Sequence, residues 1–254
     1  MLTAYDGGTE PVWKIGADQH LVAAFYRNTV IHILVERAIG ELALLTVSEL
    51  EPDAELPPGG ALQVGWEEAK RMRDLLKFEF FFPGRAGFEE DLRTELRLLV
   101  GEGAGSDMGD MTPARARELL VTARPHLSHL VLRPFLDAYL VLADRLADHG
   151  DSAVEEDALL ADALAVGRQW ALQRRVASAE SISLELFRTA IALARHKGLL
   201  EGGDGVGAAR EAFAAELRDS VRRVNIIGEI AGEPVQVVVP EPENQPESPS
   251  QESR

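Results

Sequence analysis

The chain has no cysteine among its 254 residues, which excludes disulfides, thiol nucleophiles and Cys-ligated zinc or iron–sulfur centres. Cations are scarce too: 26 Lys and Arg against 42 Asp and Glu leave a formal net charge of −16. Such a chain repels phosphate backbones, so general DNA or RNA binding through counterion release is disfavoured. Long uncharged apolar runs are absent. The most apolar stretch, Leu21 to Val47, is broken by Arg27, His32, Glu36, Arg37 and Glu41, and a charge at a bilayer centre costs roughly 2.5–3.5 kcal/mol on insertion scales. No transmembrane anchor is expected. Met1 to Glu10 carries Asp6 and Glu10 but neither a basic region nor an apolar one, so it is no secretory signal, and the chain is expected to stay inside the cell.

What is there is enough apolar sequence, 46% of residues, for a substantial core. Its spacing is mostly helical. Glu10 to Ile15 alternates weakly and stops at Gly16; Asp18 can then cap a long first helix, placed at 18–48. Three prolines and two glycines within 51–60 make a loop. Helical spacing returns over Trp66–Phe82, which runs into Phe80-Phe81-Phe82-Pro83-Gly84, and over Phe88–Val100. Gly101–Asp110 is a second loop. Thr112-Pro113 is a cap followed by an N1 proline, and Pro125 and Pro134 divide 113–149 into three helical pieces. Further helices are expected over Ala153–Val176, Ser183–Leu200 and Ala208–Ile227. Arg195, His196 and Lys197 before Gly198 suit a helix C-terminus. The β-branched run in Pro234–Val239 reads as a short strand, and Pro240–Arg254, rich in Pro and Glu, as a disordered tail. The expected fold is mostly α: a lead-in at 1–17, one helical domain at 18–239 with one or two short β-strands, and an acidic tail at 240–254.

Within the first helix, Asn28, His32 and Glu36 recur at four-residue intervals and form a polar stripe on an apolar segment. The stripe admits three readings: a hydrogen-bonded packing seam, a face turned toward a substrate-bearing neighbour, or a His32–Glu36 metal pair that lacks an evident third ligand. His126 and His129, beside Arg124 and Arg133, read as ordinary polar residues. The glycine clusters Gly101–Gly105 and Gly203–Gly207 resemble phosphate loops by density alone, because no strand precedes them and no Gly-Lys-Ser/Thr follows. Gly-x-Ser-x-Gly is also absent. Arg174 and Arg175 read as solvated surface. These motifs call for neither a metal nor a cofactor, and the residues themselves supply no catalytic constellation.

Tyr26-Arg27-Asn28 followed by His32 resembles the C-terminal region of the glycerol-3-phosphate/dihydroxyacetone-phosphate acyltransferase family. Three later segments agree in order: Phe78-Glu79-Phe80-Phe81 with the family's aromatic-glutamate-aromatic segment, Arg133-Pro134-Phe135-Leu136-Asp137-Ala138-Tyr139 with its Pro-Phe-x-x-x-Tyr helix start, and Leu186-Phe187 with Lys197-Gly198-Leu199-Leu200 with its late helix. The likeness covers roughly residues 10–230. It implies a part in acyl transfer from coenzyme A or acyl carrier protein to the 1-hydroxyl of glycerol 3-phosphate, giving lysophosphatidic acid for phospholipid synthesis. In that family the proton is taken by the histidine of a His-x-x-x-x-Asp motif. Here the residues five past the six histidines are Phe25, Arg37, Val131, Pro134, Val154 and Glu201, so the motif is missing. The resemblance therefore places this chain after the catalytic domain and implies that it is inactive alone. It makes that upstream domain, in the same or a separate chain, the expected partner, and acyl-CoA or acyl carrier protein an indirect one. Tyr26, Arg27, Asn28, His32 and Glu36 become the candidate substrate-domain interface. The implied location is cytoplasmic, with peripheral contact at the inner face of the cell membrane through the lipid product. A free-standing helical interaction protein without catalysis is the alternative, and a helical ligand sensor a weaker third.

Overall fold

The computed structural model describes residues 2–5, 12–15, 22, 29–100 and 111–232. It opens with an antiparallel hairpin of β1 (Leu2–Tyr5) and β2 (Val12–Ile15), in register from Leu2 opposite Ile15 to Tyr5 opposite Val12. The weakly alternating stretch that ends at Ile15 is thus one of its strands. Helices follow: α1 (Val35–Ser48), α2 (Gly60–Leu76), α3 (Arg85–Val100), α4 (Pro113–Thr122), the short α5 (Ser128–Val131), α6 (Arg133–Ala147), α7 (Glu156–Leu172), α8 (Leu184–His196) and α9 (Val206–Ala231). The mostly α expectation holds. The strand expected over Pro234–Val239 and the tail at 240–254 lie outside the described residues.

Two helix expectations are corrected. The helix expected over Trp66–Phe82 is α2, Gly60–Leu76: it starts inside the expected loop at 51–60 and stops before Phe78–Phe82, a turn whose Phe80 and Phe82 rings pack. The α-helix expected over 18–48 is interrupted: Val22 is helical, but Thr29 and Val30 form a turn and Ile31–Ile33 a 3-10 turn before α1 begins at Val35. Thr29, Val30, Ile31 and Ile33 are β-branched, so each loses side-chain freedom in a helix. Val30, at φ −121° and ψ −5°, lies outside helical geometry. Elsewhere local chemistry acts as read. Thr112 Oγ1 accepts from Arg115 N at 3.2 Å with Pro113 in the first turn of α4. Gly198, at φ +71°, ends α8: its N–H donates to Arg195 O, and the Leu199 N–H to Ala194 O, each at 2.9 Å.

Two helices organise the packing. α1 lies against α2, α3, α4 and α5, while α6 lies against α7, α8 and α9; the 26-residue α9 also reaches α5 and α1 and so joins the halves. Charged side chains fix the joints. Glu41, only 1% exposed, accepts from Leu127 N, Ser128 N and Ser128 Oγ at 2.7–2.9 Å, tying α1 to the start of α5. Arg210, fully buried on α9, donates to the carbonyls of Leu199, Gly150, Ser152 and Glu201 at 2.5–3.2 Å. The glycine cluster at 203–207 belongs to this joint: Gly207 N donates to Asp151 Oδ1 at 2.7 Å. A Cβ on Gly202 would stand 2.7 Å from Ala153 N, so close backbone approach explains that neighbouring glycine. Arg71 of α2 joins Glu68 to Glu216 and Ser220 of α9, at 2.7–3.0 Å.

Candidate functional site

Two of the five residues in the expected interface are described. His32 is exposed on the 3-10 turn, and Glu36 is half-buried in the first turn of α1. Because α1 starts only at Val35, the pair does not stack on one helix as the four-residue spacing suggested. Burial raises the Glu36 carboxyl, and Asp91 and Glu95 of α3 raise it further. Tyr26, Arg27 and Asn28 lie outside the described residues. Among the described residues no three His, Asp or Glu side chains form a group able to hold a metal. His126 is not a surface residue: it is 3% exposed, with Nε2 2.6 Å from the Leu120 carbonyl oxygen. Glycines 101–105 lie outside the described residues, while those at 203–207 serve the Arg210 joint.

The Phe78–Phe81 and Arg133–Tyr139 segments do converge, and they meet α8, the helix that carries Leu186-Phe187, through Thr189 and His196. The chain leaves α2 at Leu76 and turns through Phe78–Pro83 before α3, and this turn rests on α6 and α8. Tyr139 Oη of α6 donates to Glu79 Oε1 at 3.0 Å. The Thr189 side chain of α8 is hydrogen-bonded to the same carboxyl. The Phe80 ring meets Phe135 of α6 edge to face at 4.9 Å, and the Phe78 ring meets His196 of α8 at 5.8 Å. On the α3 side Phe82 meets Phe88 at 5.5 Å, and Arg73 donates to Pro83 O at 2.8 Å while its guanidinium lies 5.8 Å from both rings. Below the turn, Arg133 donates to Asp137 Oδ1, and the Ala177 N–H to Asp137 Oδ2, each at 2.7 Å.

The electrostatics follow from the packing. Burial pushes the Glu79 carboxyl up to about 7, against the pull of the hydrogen bonds from Tyr139 and Thr189. Burial, reinforced by Glu79, also holds the Tyr139 phenol above its ordinary range. The carboxyl thus changes charge near neutrality. Its partners are a fully buried phenol and a hydroxyl, and it anchors the turn to α6 and α8. Read as sequence, the segments were separate motifs; nothing in their spacing of 60 residues announced the contact. One signal was available: a lone carboxylate inside an aromatic run must find a partner when that run is buried.

A carboxyl whose pKa is higher in the folded chain than its ordinary 4.5 contributes stability that is complete below that value and lost as pH rises through about 7. Glu79→Gln keeps an acceptor for Tyr139 and removes the charge. It is expected to gain about 1–3 kcal/mol on the wild type between pH 4.5 and pH 8, measured by urea unfolding. Parallel stability curves for the two proteins contradict the assignment.

Comparison with known proteins gives the site a family. The profile of the glycerol-3-phosphate acyltransferase C-terminal region matches residues 1–203. The chain is 52% identical over 236 residues to proteins named "Putative acyltransferase plsB1" in Mycobacterium bovis and Mycobacterium tuberculosis, a match that covers 91% of this chain. It spans 37% of the length of those relatives. No solved structure is a significant match. The converging turn, α6 and α8 all fall within the matched region, and the chain belongs to the glycerol-3-phosphate acyltransferase C-terminal region family.

Proposed function

We propose that this chain is the helical C-terminal domain of a glycerol-3-phosphate O-acyltransferase. It supports transfer of an acyl group from an acyl thioester of coenzyme A or acyl carrier protein to glycerol 3-phosphate in phospholipid synthesis, and it is inactive alone. The observation that carries this reading is a mismatch: a chain of this family whose six histidines are never followed, five residues on, by an aspartate. The imidazole that takes the proton from the glycerol hydroxyl then belongs to a catalytic domain outside these residues, which fits a chain spanning 37% of its relatives' length. A net charge of −16 also suits a domain that leaves the substrate phosphate to cations elsewhere.

In this reading Tyr26, Arg27, Asn28, His32 and Glu36 face the catalytic domain. The exposure of His32 and the half-burial of Glu36 beside Asp91 and Glu95 support a contact there. The work takes place in the cytoplasm, with peripheral contact at the membrane face that receives the product. Among the described residues no helix is long and apolar enough to cross a membrane.

The test is an assay of lysophosphatidic acid formation from acyl-CoA and glycerol 3-phosphate, run with and without the acyltransferase catalytic domain. Turnover is expected only when the two are together; robust turnover by the 254-residue chain alone overturns the proposal. His32→Ala in the joined enzyme is expected to lower kcat/KM, and unchanged kinetics and melting temperature remove His32 from the interface.

A further inference from the structure

Phe81 is 98% exposed, the most exposed of the large apolar side chains among the described residues. A phenylalanine left in water forgoes roughly 1.5–3 kcal/mol of burial. A loose loop would be free to fold such a ring back onto the chain, but this turn is not loose. Both aromatic neighbours are fixed, Phe80 on Phe135 and Phe82 on Phe88; Glu79 is fixed by Tyr139, and Pro83 by Arg73. The ring therefore stands out from a backbone held at each adjoining position. Phe78, 43% exposed, adds a second apolar surface from the same turn.

We propose that the Phe78–Pro83 turn, with Phe81 as its anchor, is the surface on which the acyltransferase catalytic domain docks. The claim rests on the function proposed above and adds a second face to the contact sought at His32 and Glu36. A rigidly presented aromatic loses little conformational entropy on burial, the property that lets a single ring dominate a protein interface. Around it lie charges of both signs: Lys77, with its ammonium over the Phe78 ring, and the exposed Asp74–Arg85 pair at 3.1 Å. A mixed polar rim around an apolar centre matches a protein surface. An anionic lipid surface would instead draw on an excess of cations, and this chain has a net charge of −16. The occupant is available in the relatives, since the match to this chain leaves the greater part of their length uncovered.

The experiment mixes the full 254-residue chain with the acyltransferase catalytic domain and measures Kd by calorimetry for the wild type, Phe81→Ser, Phe81→Tyr and Leu56→Ser. Leu56, 44% exposed, precedes the far end of α2 and serves as an apolar surface control about 25 Å along the helix from the turn. Phe81→Ser is expected to weaken binding about tenfold or more with an unchanged melting temperature, while Phe81→Tyr and Leu56→Ser stay within threefold of wild type. A complex in which Phe81→Ser binds as tightly as wild type overturns the docking surface and leaves the proposed function standing. A wild-type chain that does not bind the catalytic domain at all overturns the function and the surface together. Loss by Phe81→Ser of binding to vesicles of anionic phospholipid, with domain binding intact, assigns the ring to a membrane and overturns the proposal.

Discussion

A helix enclosed on nearly every side leaves no place for a polar group to meet water, so each one it carries must be matched by a neighbour. Helix α6 is under that constraint: 12 of its 15 residues are buried, among them Arg133, Asp137 and Tyr139. Arg133 and Asp137 pair along the helix, and the second oxygen of Asp137 takes the Ala177 N–H of the α7–α8 connection. Tyr139 is matched by Glu79, from the turn between α2 and α3. Leaving such a group unpaired costs about 1–3 kcal/mol, so these contacts fix which segments can lie beside α6. The turn, α6 and α8 are brought together by this requirement, and the exposed ring of Phe81 follows from it.

The same device recurs at the other joints, with backbone groups as the partners. Glu41 turns its carboxylate to the N–H groups that open α5, where a helix start has donors without intrahelical acceptors. Arg210 does the converse, giving its guanidinium protons to four carbonyls in the loops on either side of α7 and α8. A buried charge that serves backbone groups adds little net stability over an apolar side chain, but it penalises every arrangement in which those loops lie elsewhere. The order of the bundle is held by these specific pairings as much as by its apolar area.

The helices themselves were legible from local chemistry. Apolar spacing, the Thr112-Pro113 start, the breaks at Pro125 and Pro134 and the Gly198 stop each act through the residue that carries them, and the structure keeps them all. Apolar periodicity hides two departures: the β-branched run at Thr29–Ile33 interrupts the first helix between His32 and Glu36, and the aromatic run at Phe78–Phe82 leaves α2 to pack as a turn. The contacts that build the site and the α1–α5 joint were not legible, since they pair residues 60 to 90 positions apart: Tyr139 with Glu79, Ser128 with Ala38 and Glu41. Single charges stranded in apolar or aromatic runs, Glu41 and Glu79, marked where such contacts had to exist without naming the partner.

Glu79 and Tyr139 act as one unit that ties the turn to α6. A double-mutant cycle measures this directly: Glu79→Met, Tyr139→Phe and the double variant, each unfolded in urea at pH 6. If the two groups satisfy each other, each single variant strands its partner, and the double variant is less destabilised than the sum of the singles by about 1–2 kcal/mol. Single effects that add to within about 0.5 kcal/mol would contradict the account.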